Sequence, residues 1–186
     1  MIELVDCAEE HRWLLHRWRS SPEVARQMLD DGGISRTVHN AWYTRLLQDG
    51  DRHGWVVTDD GRPVGACFLS AINATDRRAY FGMYVAEPES RGRGVGRAAL
   101  RLLCDRAFTE HGLHKLCCQV LASNEVAVQL YRREGFTHEG TLREHVWRDE
   151  QWVDVHQMAL FARSWSQSRA ALTDGAADHR TEGAPG

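Results

Sequence analysis

The sequence lacks the features that mark several classes of protein. No uninterrupted apolar run approaches the roughly 20 residues of a membrane-spanning helix, so no membrane partner is expected. The formal net charge of −3 shows no basic excess of the kind that binds nucleic acids, so no nucleic-acid partner is expected either. The first stretch of the chain carries Glu3, Asp6, Glu9 and Glu10, which contradicts a cationic secretory signal and makes a cytoplasmic location the default expectation.

Cysteine and histidine occur without the spacings that build disulfides or metal sites. The five cysteines are odd in number and include no C-x-x-C pair, which argues against a disulfide framework or a zinc ribbon. The ten histidines include no H-E-x-x-H motif. We therefore predict free, buried thiols and no bound metal.

The composition is that of one globular domain followed by a segment of another kind. The chain has 186 residues, of which 42% are apolar and 26% are charged. Residues 166–186 are rich in serine, alanine, glycine and charge, so they cannot bury enough apolar surface to offset the entropy cost of ordering. We predict a folded domain over residues 1–165 and a disordered tail over residues 166–186.

A glycine-rich segment lies between a strand-like run, residues 80–86, and a helix-like run, residues 97–110. It reads Arg91, Gly92, Arg93, Gly94, Val95, Gly96. Three glycines permit a tight turn, and the following helix directs unpaired N–H groups and its positive dipole end at the same point. This pattern predicts a site for an anion such as a pyrophosphate, with charge added by the two arginines. A surface turn with solvated arginines is the alternative, and the spacing fits neither a dinucleotide fingerprint nor a P-loop.

A second segment, residues 124–136, predicts a helix with a chemically distinctive face. Asn124, Ala127 and Tyr131 fall at i, i+3 and i+7 and therefore share one side of the helix. Asn124 is a suitable N-cap, and Gly135 is suited to a left-handed helix stop. This face would present an amide, a small residue and a phenol. The alternative is a surface helix whose tyrosine packs over a neighbour.

Together the two segments resemble the GCN5-related N-acetyltransferase (GNAT) superfamily. That family carries [Q/R]-x-x-G-x-[G/A] before its third helix, which Arg91, Gly94 and Gly96 match. It also carries N-x-x-A-x-x-L-Y-x-x-x-G-F, which residues 124–136 match at every named position. The resemblance covers roughly residues 1–162. It implies an acetyl-CoA-dependent N-acetyltransferase of the α/β class, with a single GNAT-fold domain whose central, mixed, mostly antiparallel sheet of about seven strands is flanked by helices.

The resemblance also implies where acetyl-CoA binds. In this family the strand before the glycine turn and the strand after the next helix splay apart, and the pantetheine arm lies between them. Residues 80–86 and 114–122 would form that pair here, and backbone groups of the first would bond the arm like an added strand. The expected cofactor-binding residues are Met83, Tyr84, Val85, Arg91, Gly92, Arg93, Gly94, Val95, Gly96, Asn124, Ala127 and Tyr131.

Acetyl transfer to an amine requires a donor for the oxyanion, a proton for the departing thiolate and a neutral amine. A backbone N–H near Val85 would polarise the carbonyl, and Tyr131 would protonate the thiolate or hold it by a hydrogen bond. An ordinary phenol has a pKa of about 10 and a thiol about 8.5. Full proton transfer from Tyr131 therefore needs help from the site, whereas a hydrogen bond does not.

Glu144, on the last pair of predicted strands, is the predicted base for the amine. His145, Asp154 and His156 are alternatives, and so is a water molecule. On a regular strand the neighbours Glu144 and His145 face opposite sides, so only one of them can line the cleft.

Two further stretches, residues 15–24 and residues 140–155, resemble the GNAT branch of ribosomal-protein and amino-sugar acetyltransferases. The strongest likeness is to the UDP-amino-sugar N-acetyltransferases of pseudaminic acid biosynthesis. The predicted acceptor is therefore an amino sugar or a sugar nucleotide. The residues expected to bind it are Trp18, Arg19, His145, Trp147 and Asp154.

Other functions stay open at the level of sequence. A polyamine acceptor would favour a ring of carboxylates, which Glu144, Asp149, Glu150 and Asp154 could provide. The diamine and spermidine acetyltransferases share much of the same C-terminal pattern. A ribosomal-protein N-terminus, a non-catalytic acyl-CoA sensor and a homodimer are also left open.

Overall fold

The computed structural model describes residues 1–30, 34–167 and 169 and is built around one seven-stranded sheet. The strands are β1 (Ile2–Asp6), β2 (His53–Asp59), β3 (Arg62–Asn73), β4 (Arg78–Val85), β5 (Lys115–Leu121), β6 (Thr137–Arg148) and β7 (Gln151–Phe161). Their order across the sheet is β1-β2-β3-β4-β5-β7-β6. The β4–β5 pair is parallel and the other neighbours are antiparallel, as the predicted mixed sheet requires.

Helices cover both faces of this sheet. They are α1 (Arg12–Arg19), α2 (Pro22–Ala25), α3 (Arg36–Gln48), α4 (Val95–Asp105) and α5 (Glu125–Arg133), and residues 162–167 are helical as well. Leu100 of α4 and Val128 of α5 belong to the core on one face. Leu15 of α1 and Tyr43 of α3 belong to the core on the other face. None of the described helices is long and apolar enough to cross a membrane.

One predicted segment has a different boundary in the structure, and another lies mostly outside the described residues. The helix expected over residues 97–110 begins at Val95, inside the glycine segment, and its last turn, Arg106–Glu110, is a π-helix. The tail expected over residues 166–186 lies almost wholly outside the described residues. At its near edge Trp165 is buried, and its indole N–H donates to the Asp105 carboxylate at 3.0 Å.

The cysteines are free thiols, as predicted. Cys67, Cys104, Cys117 and Cys118 are buried, and Cys7 is partly buried. Burial raises the pKa of Cys7 to about 12, and it raises the pKa of the four other thiols as well.

Strands β4 and β5 separate after a short paired section. Their hydrogen-bonded register covers three pairs and ends where Tyr80 lies opposite Cys117. Beyond that point β4 stays with β3, and β5 stays with β7. Residues 81–85 therefore have a backbone edge that no described strand pairs with, facing a space that we call the β4–β5 gap. This is the splaying that the resemblance predicted.

A close backbone contact holds the end of β4 against β3. Gly65 lies opposite Val85, and a Cβ atom at Gly65 would come within 2.3 Å of the Tyr84 carbonyl oxygen. The same Cβ would lie 3.1 Å from the Val85 Cα. Because these are backbone atoms, no rotamer change can relieve the collision. Glycine at this position therefore fixes one side of the β4–β5 gap.

We expect Gly65→Ala to lower the free energy of unfolding by about 2–3 kcal/mol, because the added methyl group forces β3 and β4 apart. Gly82→Ala is the matched control on β4, since a Cβ there would meet no atom within 4 Å. It should change stability by less than about 0.5 kcal/mol. Urea unfolding of both variants measures the difference, and equal stabilities would contradict the close contact.

Candidate active site

The glycine segment forms the turn that leads from β4 into α4. Gly92 and Gly94 have φ angles of 72° and 83°, in the region that favours glycine. Gly94 is the N-cap of α4 and has no side chain that could bond the first turn. A Cβ at either glycine would meet no atom within 4 Å, so the space above the turn is open. No side chain in the described part of the chain caps the leading N–H groups of α4, and their use as an anion site stays a prediction.

Arg91 also makes contacts with the strand that the sequence did not predict. Its Nε donates to the Val85 carbonyl at 3.1 Å, and its Nη2 donates to the Ala86 carbonyl at 2.9 Å. These carbonyls belong to the last residue of β4 and to the residue after it, where the ladder ends and backbone oxygens need new donors. Arg91 therefore ties the turn to the strand, while Arg93 is exposed.

Helix α5 has the caps that the sequence predicts. The Asn124 side-chain oxygen accepts from the Ala127 N–H at 3.2 Å, so Asn124 is the N-cap. Gly135 adopts a φ of 92°, and a Cβ there would lie 3.4 Å from Leu160. These two caps fix where the helix begins and ends, and thereby the position of Tyr131 within it.

The Tyr131 ring lies at the mouth of the β4–β5 gap. Its centroid is 5.3 Å from that of Phe81, edge to face, and Phe81 is the first residue of β4 beyond the paired section. The side chain is 7% exposed, and burial raises the pKa of Tyr131 above that of an ordinary phenol. Its hydroxyl has no hydrogen-bond partner among the described residues. The phenol therefore stays protonated and is free to donate.

The predicted base lies in an irregular part of β6. Leu142 pairs with Val155 and Val146 pairs with Val153, so residues 143–145 face a single residue of β7, Asp154. Glu144 has a φ of 49°, and its N–H donates to the Asp154 carboxylate at 2.7 Å. The expected strict alternation of Glu144 and His145 is therefore wrong, because a bulge replaces the regular strand. Both side chains are exposed, and one oxygen of Asp154 is engaged in holding the bulge.

The fourth candidate base, His156, is part of a small polar cluster on the face that carries α5. Its Nδ1 lies 3.0 Å from the Thr141 hydroxyl, which also lies 2.9 Å from the Nε2 of His138. Burial and then the neighbouring His138 lower the pKa of His156. A histidine with a lowered pKa is neutral at physiological pH and is able to accept a proton.

Two predicted acceptor residues, Trp18 and Arg19, lie on the sheet face opposite Tyr131. The Trp18 indole N–H donates to the Glu87 carboxylate at 2.7 Å, and its ring meets Tyr84 edge to face. Sequence reasoning did not identify Glu87, because its partner is 69 residues away and no local motif marks it. The gap is thus bordered by a phenol on one face and by an indole–carboxylate pair on the other.

Arg19 and Tyr84 carry polar atoms that lack partners. The Arg19 Nη2 donates to the Asp30 carbonyl at 3.3 Å, whereas its Nη1 is buried without a hydrogen bond to the described residues. The Tyr84 hydroxyl is buried and unbonded in the same way. Burial lowers the pKa of Arg19 and raises that of Tyr84, and the positive charge of Arg19 opposes part of the rise at Tyr84. Such atoms are costly unless a ligand or water bonds them.

The other predicted acceptor residues lie along the β6–β7 hairpin. Trp147 and Trp152, near its tip, are 52% and 58% exposed, with ring centroids 5.0 Å apart. Arg148 donates to the backbone carbonyls of Met28 and Leu29. Since Arg19 bonds the next residue, Asp30, the hairpin tip and the end of α1 border the same chain segment.

Comparison with known proteins decides the family. A family model described as "Acetyltransferase (GNAT) family" matches residues 10–136. The chain belongs to the GNAT family. The sequence-based prediction of the family and of its fold is therefore confirmed.

Several GNAT relatives are similar over most of the chain. The spermidine N(1)-acetyltransferase of Escherichia coli K12 is 31% identical over 182 residues, which is 98% of this chain and 92% of the relative. A putative ribosomal N-acetyltransferase of Bacillus subtilis is 29% identical over 57% of each chain. A spermidine N-acetyltransferase of Vibrio cholerae, crystallised with CoA and spermine, superposes with a TM-score of 0.83 at 25% identity, covering 88% of this chain and 97% of that one. The protein is an acetyl-CoA-dependent N-acetyltransferase.

Proposed function

We propose that this GNAT enzyme transfers the acetyl group of acetyl-CoA directly to a primary amine of a polyamine, in a ternary complex. The observation that carries acetyl transfer is the β4–β5 gap, with the glycine turn at one end and the Tyr131 phenol at its mouth. The polyamine assignment is supported by the likeness to spermidine acetyltransferases over nearly the whole chain. The comparisons favour this alternative over the amino sugar that was the main prediction from the sequence.

The chain's own groups fit the parts of acetyl-CoA. The unpaired edge of β4, with Met83, Tyr84 and Val85, offers peptide groups to the two amides of the pantetheine arm. The open turn at Gly92 and Gly94 and the first N–H groups of α4 suit the pyrophosphate. The remaining groups proposed to line this site are Arg91, Arg93, Val95, Gly96, Asn124 and Ala127. Acetyl-CoA supplies the thioester.

The proposed role of Tyr131 is to donate a hydrogen bond to the sulfur that leaves. A buried phenol with a raised pKa holds its proton, so it stabilises a thiolate without becoming charged. A backbone N–H near Val85 is proposed to polarise the thioester carbonyl. Glu144 stays the predicted base, with His145, Asp154, His156 and water as alternatives.

Carboxylates and aromatic rings around the acceptor side suit a molecule with several ammonium groups. Glu87 lies beside Trp18 on the face opposite Tyr131, and Asp154 lies on the hairpin. The exposed rings of Trp147 and Trp152 offer faces that attract cations. A polyamine extending from the gap toward the hairpin would place its ammonium groups near these carboxylates and then near the faces of the tryptophan rings.

A thiol-release assay with acetyl-CoA and a panel of amines tests the acceptor. We expect spermidine and spermine to give kcat/KM values at least about tenfold above those of UDP-amino sugars, aminoglycosides and ribosomal N-terminal peptides, a difference of about 1.4 kcal/mol in transition-state binding. A preference for UDP-amino sugars would overturn the polyamine assignment. Binding of acetyl-CoA without acetylation of any amine would favour the sensor alternative.

An amino sugar or sugar nucleotide is the second candidate acceptor, and one observation favours it. The Arg19 Nη1 and the Tyr84 hydroxyl, on the acceptor side of the gap, are both buried and have no hydrogen-bond partner within the part of the chain that the structure describes. A guanidinium repels a polyammonium but suits a phosphate or a sugar oxygen. The two acceptors therefore make opposite demands on Arg19.

Arg19→Met separates the two candidates. With a polyamine acceptor, removing this cation should leave KM unchanged or lower it. With a sugar nucleotide, it should raise KM about tenfold or more, because a charge-assisted hydrogen bond is lost. Arg17→Met, at an exposed position of the same helix, is the matched control and should not change KM for either amine.

Tyr131→Phe tests the proposed acid. We expect kcat to fall about 10²-fold, because the hydrogen bond to the leaving sulfur is lost. The Kd for acetyl-CoA, measured by calorimetry, should change less than about twofold, since the ring and its packing are kept. Tyr43→Phe is the control, because the Tyr43 hydroxyl bonds the Ala8 carbonyl at 2.8 Å, away from the gap. It should lower stability by about 1 kcal/mol and leave kcat unchanged. Wild-type turnover in Tyr131→Phe would remove this residue from the mechanism.

A further inference from the structure

The glycine turn and Tyr131 belong to different sides of the β4–β5 gap. The turn and α4 follow β4, whereas α5 follows β5. The two strands share three hydrogen-bonded pairs, all at the end of the gap where they are still together. Beyond these pairs, the sheet does not fix the distance between the pyrophosphate turn and the phenol. Packing of both helices on their shared core and contacts between α4 and α5 then set that distance.

Apolar contacts across the gap do not fix the orientation of α4 relative to α5. A Cβ at Gly96 would lie 3.9 Å from Leu130, and Phe81 packs on the Tyr131 ring. Such contacts exclude water and hold the helices near each other. Dispersion and burial do not specify direction, so they permit small sliding or rotation of one helix against the other.

A cluster of ion pairs fixes the orientation of α4 relative to α5, which apolar packing alone does not. The Glu134 side chain is 2% exposed, and its two oxygens bond two different arginines of α4. Arg97 Nε donates to Oε1 at 2.5 Å, and Arg101 Nε donates to Oε2 at 2.6 Å. The arginines lie on successive turns of α4, so the carboxylate fixes both the rotation and the height of this helix.

Glu134 is coupled to both functional elements through short stretches of backbone. It is the C-cap residue of α5, and its N–H lies 3.1 Å and 3.2 Å from the carbonyls of Leu130 and Tyr131. Its partner Arg97 lies in the first turn of α4, three residues after the N-cap Gly94. A shift of this carboxylate would therefore move the turn relative to the phenol.

We propose that Glu134 is a positioning residue for acetyl transfer, which sets the distance between the glycine turn and the Tyr131 hydroxyl. The inference rests on the proposed role of Tyr131. With the cluster intact, a thioester whose pyrophosphate is held at the turn places its sulfur in reach of the phenol. Without it, α4 and α5 sample a range of separations, and the hydrogen bond to sulfur forms less often.

A double-mutant cycle of Glu134→Gln and Tyr131→Phe tests this proposal. The amide keeps the shape of Glu134 but loses its charge. With acetyl-CoA and the amine that the acceptor screen ranks first, kcat should fall about tenfold, while the Kd for acetyl-CoA changes less than about twofold. In the Tyr131→Phe background the same change should lower kcat less than about twofold, because the group that Glu134 positions is already gone.

Control variants separate positioning from general damage. Glu139→Gln breaks the Lys115–Glu139 pair (2.7 Å), at the end of β5 remote from the gap, and should leave kcat unchanged in both backgrounds. If Glu134→Gln does not fold, Arg101→Gln replaces it, because this variant keeps the Arg97–Glu134 ion pair. It should lower kcat less than Glu134→Gln does, and the loss should again be smaller in the Tyr131→Phe background. Circular dichroism and thermal unfolding confirm that each variant is folded at the assay temperature.

Two results would overturn the inference. An equal loss of kcat from Glu134→Gln in both backgrounds would make Glu134 a residue of general structure, with the role of Tyr131 intact. Wild-type turnover in a folded Glu134→Gln enzyme would have the same consequence. By contrast, wild-type turnover in Tyr131→Phe alone would remove the proposed acid and this inference with it.

Discussion

A row of peptide groups along β4, residues 81–85, pairs with β3 on one side and with no described strand on the other. Buried backbone groups without partners are costly, so such an edge inside a sheet needs a ligand or water to complete it. The contact at Gly65 holds β4 firmly on its paired side, and Arg91 bonds the carbonyls at its end. One edge of β4 is therefore held against β3, and the other edge can form hydrogen bonds with a ligand.

The two faces of the sheet contribute different chemistry at this opening. On the face of α4 and α5 lie the turn at Gly94 and the phenol of Tyr131. On the face of α1 and α3 lie the Trp18–Glu87 pair and the buried polar atoms of Arg19 and Tyr84 that no described residue bonds. In the proposed mechanism, acetyl donor and amine therefore approach from opposite faces and meet where the ladder is interrupted. Neither has to pass the other on its way in.

Local signals in the sequence predicted the elements that border the gap. The left-handed Gly94 and Gly135, and the Asn124 cap, depend on residues within one turn of themselves. Contacts between distant segments left no such signal, which is why the Glu134 cluster, the Trp18–Glu87 bond and the bulge at Glu144 were missed. No local motif marks the acceptor either, and the main prediction was an amino sugar, whereas two of the relatives named above are spermidine acetyltransferases. The homodimer, the cytoplasmic location and the domain boundary at residue 165 stay predictions.

The burial of the thiols has a chemical consequence. An alkylating or oxidising agent attacks a thiolate that it can reach. Cys67, Cys104 and Cys118 are almost wholly buried and Cys117 is 7% exposed, and burial raises the pKa of all four thiols. Cys7 is partly covered, and its pKa of about 12 keeps it protonated at neutral pH. The folded enzyme should therefore be inert toward disulfide reagents. The thiol signal in an assay with such a reagent would then come from the coenzyme A released during turnover and not from the enzyme.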